Sequence, residues 1–291
     1  LGSILLGFSQ ANQQFYRYAA ADNVSISLKS KAISLVLAGG LIAAILGPEV
    51  SRYSFDFFPD YIYLATYLFA AIIQIINFLI LIFINIKKPI PSKKINRPLG
   101  DVLLQKNLII AILAAAVGYS LMSFIMTATP LQIVNVCKLG DSASATVIQW
   151  HVIAMFAPSF FTGTIINSLG NRKVMMIGLF LYAFSISFTI IGQTIEHFWI
   201  ALFLCGLGWN FLYVGGSDII AKSALPEERA KVQGVTDFII FVFVATGSFL
   251  AGALHSTLGW EIMMFYTSIP IFILFMSIII IKPDGGIKAR Y

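Results

Sequence analysis

The chain contains nine apolar stretches of about 20 residues each, a length that lets a helix cross roughly 30 Å of hydrocarbon. Its 291 residues are 58% hydrophobic and 11% charged, whereas about a quarter of the residues in a soluble domain are charged. Blocks such as LIIAILAAAVG do not alternate in polarity, which excludes the strands of a transmembrane barrel. The sequence therefore predicts an all-α, polytopic membrane protein. The nine predicted helices cover residues 1–21, 32–49, 60–86, 106–129, 143–168, 173–194, 197–222, 232–255 and 258–282.

The basic residues fall almost entirely on one side of these nine segments. Of the 19 lysines and arginines, 17 lie on one side, and only Arg52 and Lys138 lie on the other. By the positive-inside rule the rich side is cytoplasmic, which predicts a multi-pass protein of the cell (inner or plasma) membrane with its C-terminus inside. The net charge of +6 is thus explained by membrane orientation, and no nucleic-acid partner is expected.

A basic, proline-punctuated loop, KKPIPSKKINRPLGDVLLQK, separates three helices from six. We interpret residues 87–105 as a cytoplasmic linker, 1–86 as the last three helices of an N-terminal bundle, and 106–291 as a C-terminal six-helix bundle. The first residue, Leu1, already belongs to an apolar segment. We therefore expect a six-plus-six architecture from which three upstream helices are missing.

Three stretches are similar to one family of membrane proteins. GTIINSLGNRK, with Gly163, Gly170 and two basic residues, resembles the cytoplasmic loop signature of the major facilitator superfamily, which is a Gly, an acid four residues later, a second Gly and basic residues, although Asn167 stands in place of the acid. AISLVLAGGLIAAILGPEVSR resembles its fifth helix without the later glycines of the antiporters, and ALPEERAKVQG is similar to its loop between helices ten and eleven. The resemblance implies helices four to twelve of an alternating-access transporter. The signature residues are candidates for a cytoplasmic latch: Gly163, Asn167, Gly170, Arg172 and Lys173.

An internal repeat supports such a latch. YAAAD ends at Asp22 and precedes the basic SLKSK, which contains Lys31, and VGGSD ends at Asp218 and precedes PEERAK, which contains Arg229. An acid beside basic loop residues can form a contact in one state and break it in another. The alternative is a surface ion pair worth about 0 to 1 kcal/mol.

A polar face lies within the first apolar segment. Gln10, Gln13, Gln14 and Arg17 follow i, i+3, i+4 and i+7 spacing, so they share one side of a helix. Since lipid cannot solvate such a face, we expect these side chains to line a central substrate cavity, as the resemblance implies for the fourth helix. The alternatives are hydrogen bonds between helices, worth about 0.6 kcal/mol each, and for Arg17 an extended side chain that reaches the cytoplasmic surface.

Candidate partners across this cavity come from the second bundle. Gln149, Trp150 and His151 lie about 9 to 12 Å below the outer face, in a helix that Pro158 should kink. With an ordinary pKa of about 6.5, His151 is a candidate proton carrier, and the alternative is a neutral histidine bonded to a carbonyl.

Aromatic and amide side chains give a second candidate set. Trp209, Asn210 and Tyr213 form a face able to stack on a planar solute, with close helix packing as the alternative, and Tyr119 recurs on the neighbouring segment. We interpret Asp237 instead as an acid at a helix N-terminus, where it favours the helix dipole.

Functions other than transport fit the sequence less well. HExxH and GxSxG motifs are absent and the three histidines are far apart, so no enzyme, metal site or cofactor is expected. A channel would carry a repeated filter motif or charged pore rings. We expect a monomeric secondary transporter in the lipid bilayer that moves a small organic solute by alternating access, with coupling to protons left open.

Two alternatives to this function stay open. The first is a non-transporting remnant of such a carrier. The second concerns the substrate: VIQWHVIAMFAPSFFTG resembles bacterial facilitators whose relatives include riboflavin importers, and a drug or metabolite exporter is the other choice within the superfamily.

Overall fold

The protein is described by a computed structural model over residues 2–84, 98–225 and 227–283. Most of the predicted linker, residues 87–97, therefore lies outside the described residues. The helices are α1 (Gly2–Asp22), α2 (Lys29–Ala38), α3 (Gly40–Ser54), α4 (Leu64–Ile82), α5 (Leu99–Leu103), α6 (Lys106–Pro130), α7 (Asp141–Phe156), α8 (Ser159–Leu169), α9 (Asn171–Ile191), α10 (Ile195–Ser223), α11 (Arg229–Leu258), α12 (Trp260–Tyr266) and α13 (Ser268–Ile281).

The predicted all-helical fold is confirmed, since the described residues contain no strand. Seven helical stretches are long and apolar enough to cross a membrane, and the bent pair α7 and α8 makes eight. The remaining predicted span, α1, is a helix of 21 residues. It falls outside that group because its glutamines, asparagine and arginine lower its hydropathy. The division into bundles at residues 86 and 106 stays a prediction.

Several spans are broken within the bundle. The kink predicted at Pro158 is confirmed: α7 ends at Phe156, α8 begins at Ser159, and the two axes differ by 42°. Proline cannot donate the helical hydrogen bond, and its ring crowds the preceding turn. After Pro130, α6 continues as a π-helix over Leu131–Val136.

Helix α10 lies at the centre of the C-terminal helices, where it packs against α6, α7 and α9. Small residues allow this close approach. A Cβ added at Gly178 of α9 would lie 3.0 Å from the carbonyl oxygen of Gly208 in α10. Small residues at helix contacts are typical of membrane proteins, because the hydrophobic effect does not drive helices together in lipid.

The first four helices meet the others along two seams. Helix α2 packs against α8 and α10, and α3 packs against α7. Helix α1 contacts α10. The helix ends that contain Asp22, Lys29, Asp218 and Arg229 come together at one end of the molecule, which we call the Asp22 end.

Candidate functional site

A cavity of about 1020 Å³ lies between the first four helices and the helices α6 and α7. Along α2 and α3, which lead away from the Asp22 end, its lining begins at Val36, seven positions beyond Lys29, and continues to Pro48, and Ala145 lies near the start of α7. Its polar lining consists of six carboxamides and two phenols, and none of the described lining residues carries a charge. These polar residues are Gln10, Gln13, Gln14, Gln74, Asn77, Gln149, Tyr16 and Tyr119.

Helical periodicity explains the contribution of α1. Gln10, Gln13 and Gln14 share the face that lines the cavity, whereas Asn12 points away and donates to the carbonyl oxygen of Phe8 at 2.9 Å. The structure thus brings together five of the predicted cavity residues: the three glutamines, Tyr119 and Gln149.

Three polar lining residues were missed by the sequence interpretation: Tyr16, Gln74 and Asn77. Asn77 Nδ2 lies 3.4 Å from the hydroxyl of Tyr16, which links α4 to α1. The signal was present, because Gln74 and Asn77 are three residues apart in an otherwise apolar segment and so share one helix face.

Arg17 lies beyond the cavity, in a buried ion pair that joins α1 to α11. Its Nη2 is 2.5 Å from Asp237 Oδ1, and the exposed fractions of the two side chains are 1% and 8%. Arg17 Nη1 donates to Tyr213 and, at 2.6 Å, to Gln14 Oε1. The Tyr18 hydroxyl is 3.1 Å from Arg17 Nη2. The Arg17 guanidinium therefore lies neither in the cavity wall nor at the membrane surface, the two positions predicted from the sequence.

The interpretation of Asp237 as a helix-start acid is wrong. Helix α11 begins at Arg229, so Asp237 lies two turns inside it, beyond the first turn to which the dipole effect is confined. The carboxylate is instead buried against Arg17. Its Oδ2, together with Arg17 Nε, has no hydrogen-bond partner among the described residues.

An aromatic cluster backs the cavity. The rings of Trp209 and Tyr213 stack with centroids 5.0 Å apart, and both residues are almost fully buried. Tyr119 and Phe156 pack edge-on against Trp209 and themselves line the cavity. Trp209 and Tyr213 therefore support the wall and do not form it.

Two further predicted cavity residues, Trp150 and His151, lie away from it. Trp150 is 42% exposed and packs against Trp199. His151 is fully buried, with Nδ1 2.6 Å from the carbonyl oxygen of Leu202 in α10. Successive helix positions differ by about 100°, so Gln149 reaches the cavity while its two neighbours do not.

Asn210 is also fully buried. It donates to the carbonyl oxygen of Met155 at 2.7 Å and accepts from Thr162 Oγ1 at 2.6 Å. These contacts tie α10 to both sides of the α7–α8 bend. The first contact satisfies a backbone carbonyl oxygen close to Pro158, so Asn210 has a structural role here.

Ionic contacts close the Asp22 end. Asp22 Oδ1 lies 3.1 Å from Arg229 Nη1 and 3.7 Å from Lys29 Nζ. Lys29 Nζ also donates to the carbonyl oxygen of Ala221 at 2.8 Å. Residues of α1 and α2 are thereby joined to α10 and α11.

Asp218 is the centre of a second, deeper network at the same end. This fully buried carboxylate accepts hydrogen bonds from Ser30 at 2.7 Å, Asn171 at 2.9 Å and Lys222 at 2.7 Å. Ser30 belongs to α2, so the network also crosses the boundary between the two groups of helices.

The α2–α8 seam depends on Gly163. A Cβ added there would lie 2.5 Å from the carbonyl oxygen of Ser30 and 2.7 Å from Lys31 Cα. Asn167 Nδ2 donates to the carbonyl oxygen of Ser27 at 3.1 Å. Asn167, the residue in place of the usual acid, thus makes a neutral contact across the seam.

The remaining latch candidates surround these contacts. Gly170 has a φ of +82° where α8 ends and α9 begins, a conformation that favours glycine. Lys31 and Lys173 have exposed side chains, and Arg172 is half-buried.

Comparisons with known proteins agree with this arrangement. A sequence profile of the Major Facilitator Superfamily matches residues 108–289. The Riboflavin transporter RfnT of Brucella anthropi is 39% identical over an alignment of 291 positions that covers 98% of this chain and 73% of that protein. The chain belongs to the major facilitator superfamily. It is therefore a multi-pass membrane transporter of a small solute.

Two more distant relatives come from Bacillus subtilis. The Uncharacterized MFS-type transporters YddS and YdeG are 26% and 28% identical to this chain. The similarity covers 86% of this chain in both cases, and 61% and 62% of the two relatives. These names agree with the sequence analysis, which favoured a transporter over an enzyme or a channel.

Proposed function

We propose that the protein is a secondary transporter that moves a small organic solute through the amide-lined cavity by alternating access. The observation that carries this proposal is the asymmetry of the cavity. Contacts between the two helix groups, through Asp22, Asp218, Gly163 and the Arg17–Asp237 pair, close the Asp22 end. The cavity extends towards the other end.

The Asp22 end is the cytoplasmic end in this proposal. The 17 to 2 distribution of basic residues supports it, since the rich side includes Lys29, Lys222 and Arg229. The form described is then closed to the cytoplasm, and a second form must open that end while closing the other.

Riboflavin is the solute we propose to test first. The Brucella relative is named as a riboflavin transporter. The chemistry of the cavity suits such a solute, because carboxamides can donate to the ring carbonyls and nitrogens and accept from the hydroxyl chain. Tyr119 and Phe156 offer aromatic surface to the planar ring.

Proton coupling, predicted from His151, stays a prediction. His151 is buried between α7 and α10 and is not among the cavity residues. Proton transfer at the solute site is therefore not part of the proposed function.

Uptake of radiolabelled riboflavin into proteoliposomes tests the proposal. Ala43 lines the cavity, and Ala43→Trp should abolish uptake by filling it. The adjacent Ile42 is 65% exposed and is not a lining residue, so Ile42→Trp is the matched control and should retain uptake. The non-transporting alternative predicts background uptake for all three proteins. Equal uptake by the wild type and Ala43→Trp would place the solute path elsewhere.

A further inference from the structure

The two ends of the Gln14 side chain face different parts of the protein. Its Oε1 accepts hydrogen bonds from Arg17 Nη1 at 2.6 Å and from the Tyr213 hydroxyl at 2.8 Å. Gln14 also lines the cavity, and its Nε2 donates to no described residue. Gln14 thus has its oxygen on the buried ion pair and its nitrogen available to the cavity.

Gln14 is alone among the α1 glutamines in this double contact. Gln13 lines the same wall, but its Nε2 lies 3.5 Å from Ser9 Oγ on its own helix. Neither Gln10 nor Gln13 forms a hydrogen bond with Arg17, Tyr213 or Asp237 in the described structure.

An amide that accepts a hydrogen bond from a cation becomes a stronger donor at its nitrogen. Charge-assisted hydrogen bonds are roughly twice as strong as neutral ones, and hydrogen bonds in a chain polarise one another in a medium of low dielectric constant. Arg17, held in place by Asp237, and Tyr213 of α10 therefore strengthen the Gln14 Nε2–H donor and fix its orientation while the two groups of helices are in contact.

We propose that Gln14 couples solute binding to closure of the Asp22 end. Its amide nitrogen donates to a carbonyl oxygen or an unprotonated ring nitrogen of the solute, while its oxygen is held by Arg17 and Tyr213. Gln14 is thereby a specificity-determining residue for solutes that present such an acceptor. This inference rests on the proposed function of the cavity as the solute site.

A thermodynamic consequence follows from the shared side chain. If the intact ion pair strengthens the contact to the solute, the bound solute must stabilise the intact ion pair by the same factor. When the ion pair breaks and the Asp22 end opens, Gln14 loses its contact with Tyr213 of α10 and its amide is no longer held in this orientation, so the solute dissociates more readily. High affinity is thus confined to the form closed at the Asp22 end.

Three variants separate the two contacts of Gln14. Gln14→Met removes both. Gln14→Glu keeps an oxygen acceptor for Arg17 and Tyr213 but has no N–H to donate to the solute. Gln13→Met is the control for the distances measured without solute, because it changes the same cavity wall without touching the ion pair.

Pulsed electron paramagnetic resonance between spin labels at Ser25→Cys and Ser168→Cys reports opening of the Asp22 end. Both residues are exposed there, on the two sides of the α2–α8 seam. The natural Cys137 and Cys205 are replaced by serine and alanine. Without solute, we expect Gln14→Met to populate longer distances than the wild type, while Gln14→Glu and Gln13→Met keep the wild-type distribution.

Quenching of riboflavin fluorescence gives the matching binding measurement. Loss of one hydrogen bond with charge assistance should weaken binding by about tenfold for both Gln14→Met and Gln14→Glu. Riboflavin should narrow the distance distribution of the wild type towards the closed form, but not that of Gln14→Glu.

Different results contradict the role of Gln14 and the choice of riboflavin as the solute. Wild-type distances in ligand-free Gln14→Met, or wild-type riboflavin affinity in Gln14→Glu, would overturn the role of Gln14. Absence of riboflavin binding to the wild type would instead overturn riboflavin as the solute. In that case the ligand-free distances still decide whether Gln14 supports the closed end.

Discussion

Arg17 and Asp237 are 220 positions apart in the chain, yet Arg17 Nη2 lies 2.5 Å from Asp237 Oδ1 with both side chains almost fully buried. The two residues belong to α1 and α11, so the pair crosses from the first group of helices to the second. A buried charge that loses its partner is left uncompensated, which is strongly unfavourable. The pair therefore favours the form in which the two groups are in contact.

Loss of one partner should be more harmful than loss of both. Asp237→Asn leaves Arg17 buried without a counter-charge, and we expect it to lower the free energy of unfolding by about 3 to 5 kcal/mol. The double variant Arg17→Leu, Asp237→Leu should lose less, because no uncompensated charge remains. Thermal unfolding in detergent measures both. Additive losses in the double variant would show that the two side chains do not interact.

Close packing at Gly163 gives a second prediction. Gly163→Ala places a Cβ 2.5 Å from the carbonyl oxygen of Ser30, so α2 and α8 must separate. We expect longer distances between labels at residues 25 and 168 and reduced riboflavin uptake. Gly234 of α11 has no atom within 4 Å of an added Cβ, and Gly234→Ala is the control that should behave like the wild type. Unchanged distances in Gly163→Ala would show that this glycine is not needed to close the Asp22 end.

The two acids of the internal repeat, Asp22 and Asp218, should differ strongly in their contribution to stability. Asp218 is fully buried and accepts from three side chains, and an asparagine there would direct an N–H₂ group at donors. We expect Asp218→Asn to cost about 1 to 3 kcal/mol of stability. Asp22 has a side chain that is 30% exposed, and Asp22→Asn should cost less than about 1 kcal/mol. Chemical denaturation of both variants gives the comparison, and equal losses would contradict it.

The helices were predictable because apolar length and charge distribution are local properties of the sequence. Gln10, Gln13 and Gln14 were found on one face from their spacing alone, and the break at Pro158 followed from the chemistry of proline. The same spacing argument applied to Gln74 and Asn77 would have added α4 to the cavity wall. Those two residues were missed because they interrupt a long apolar run without any charged neighbour.

Long-range pairing was not predictable in this way. Nothing local links Arg17 to Asp237, and α11 begins at Arg229, upstream of the predicted start at residue 232. Depth in the membrane alone predicts Trp150 and His151 in the cavity with Gln149, but rotation about the helix axis turns both side chains away from it. Which of three consecutive residues faces a cavity depends on the neighbouring helices, here α10.

His151 gives a prediction that separates packing from proton transfer. Its ring is fully buried and bonded to the carbonyl oxygen of Leu202, so His151→Ala should create a void and destabilise the α7–α10 contact by about 2 to 4 kcal/mol. Riboflavin uptake per folded molecule should keep the wild-type dependence on pH between about 5.5 and 8, the range in which an unperturbed histidine titrates. A lost or displaced pH dependence in His151→Ala would instead support the proton role predicted from the sequence.

The most direct measurement of the central claim is the sidedness of access to the cavity. Gln149→Cys, in protein lacking Cys137 and Cys205, places one thiol in the cavity wall, and a membrane-impermeant thiol reagent is applied from one side of the membrane at a time. With the Arg17–Asp237 pair intact we predict fast reaction from the outer side and slow reaction from the cytoplasmic side, and Asp237→Asn should speed the cytoplasmic reaction. Equally fast reaction from the cytoplasmic side with the pair intact, or no effect of Asp237→Asn, would contradict a cavity closed by this pair.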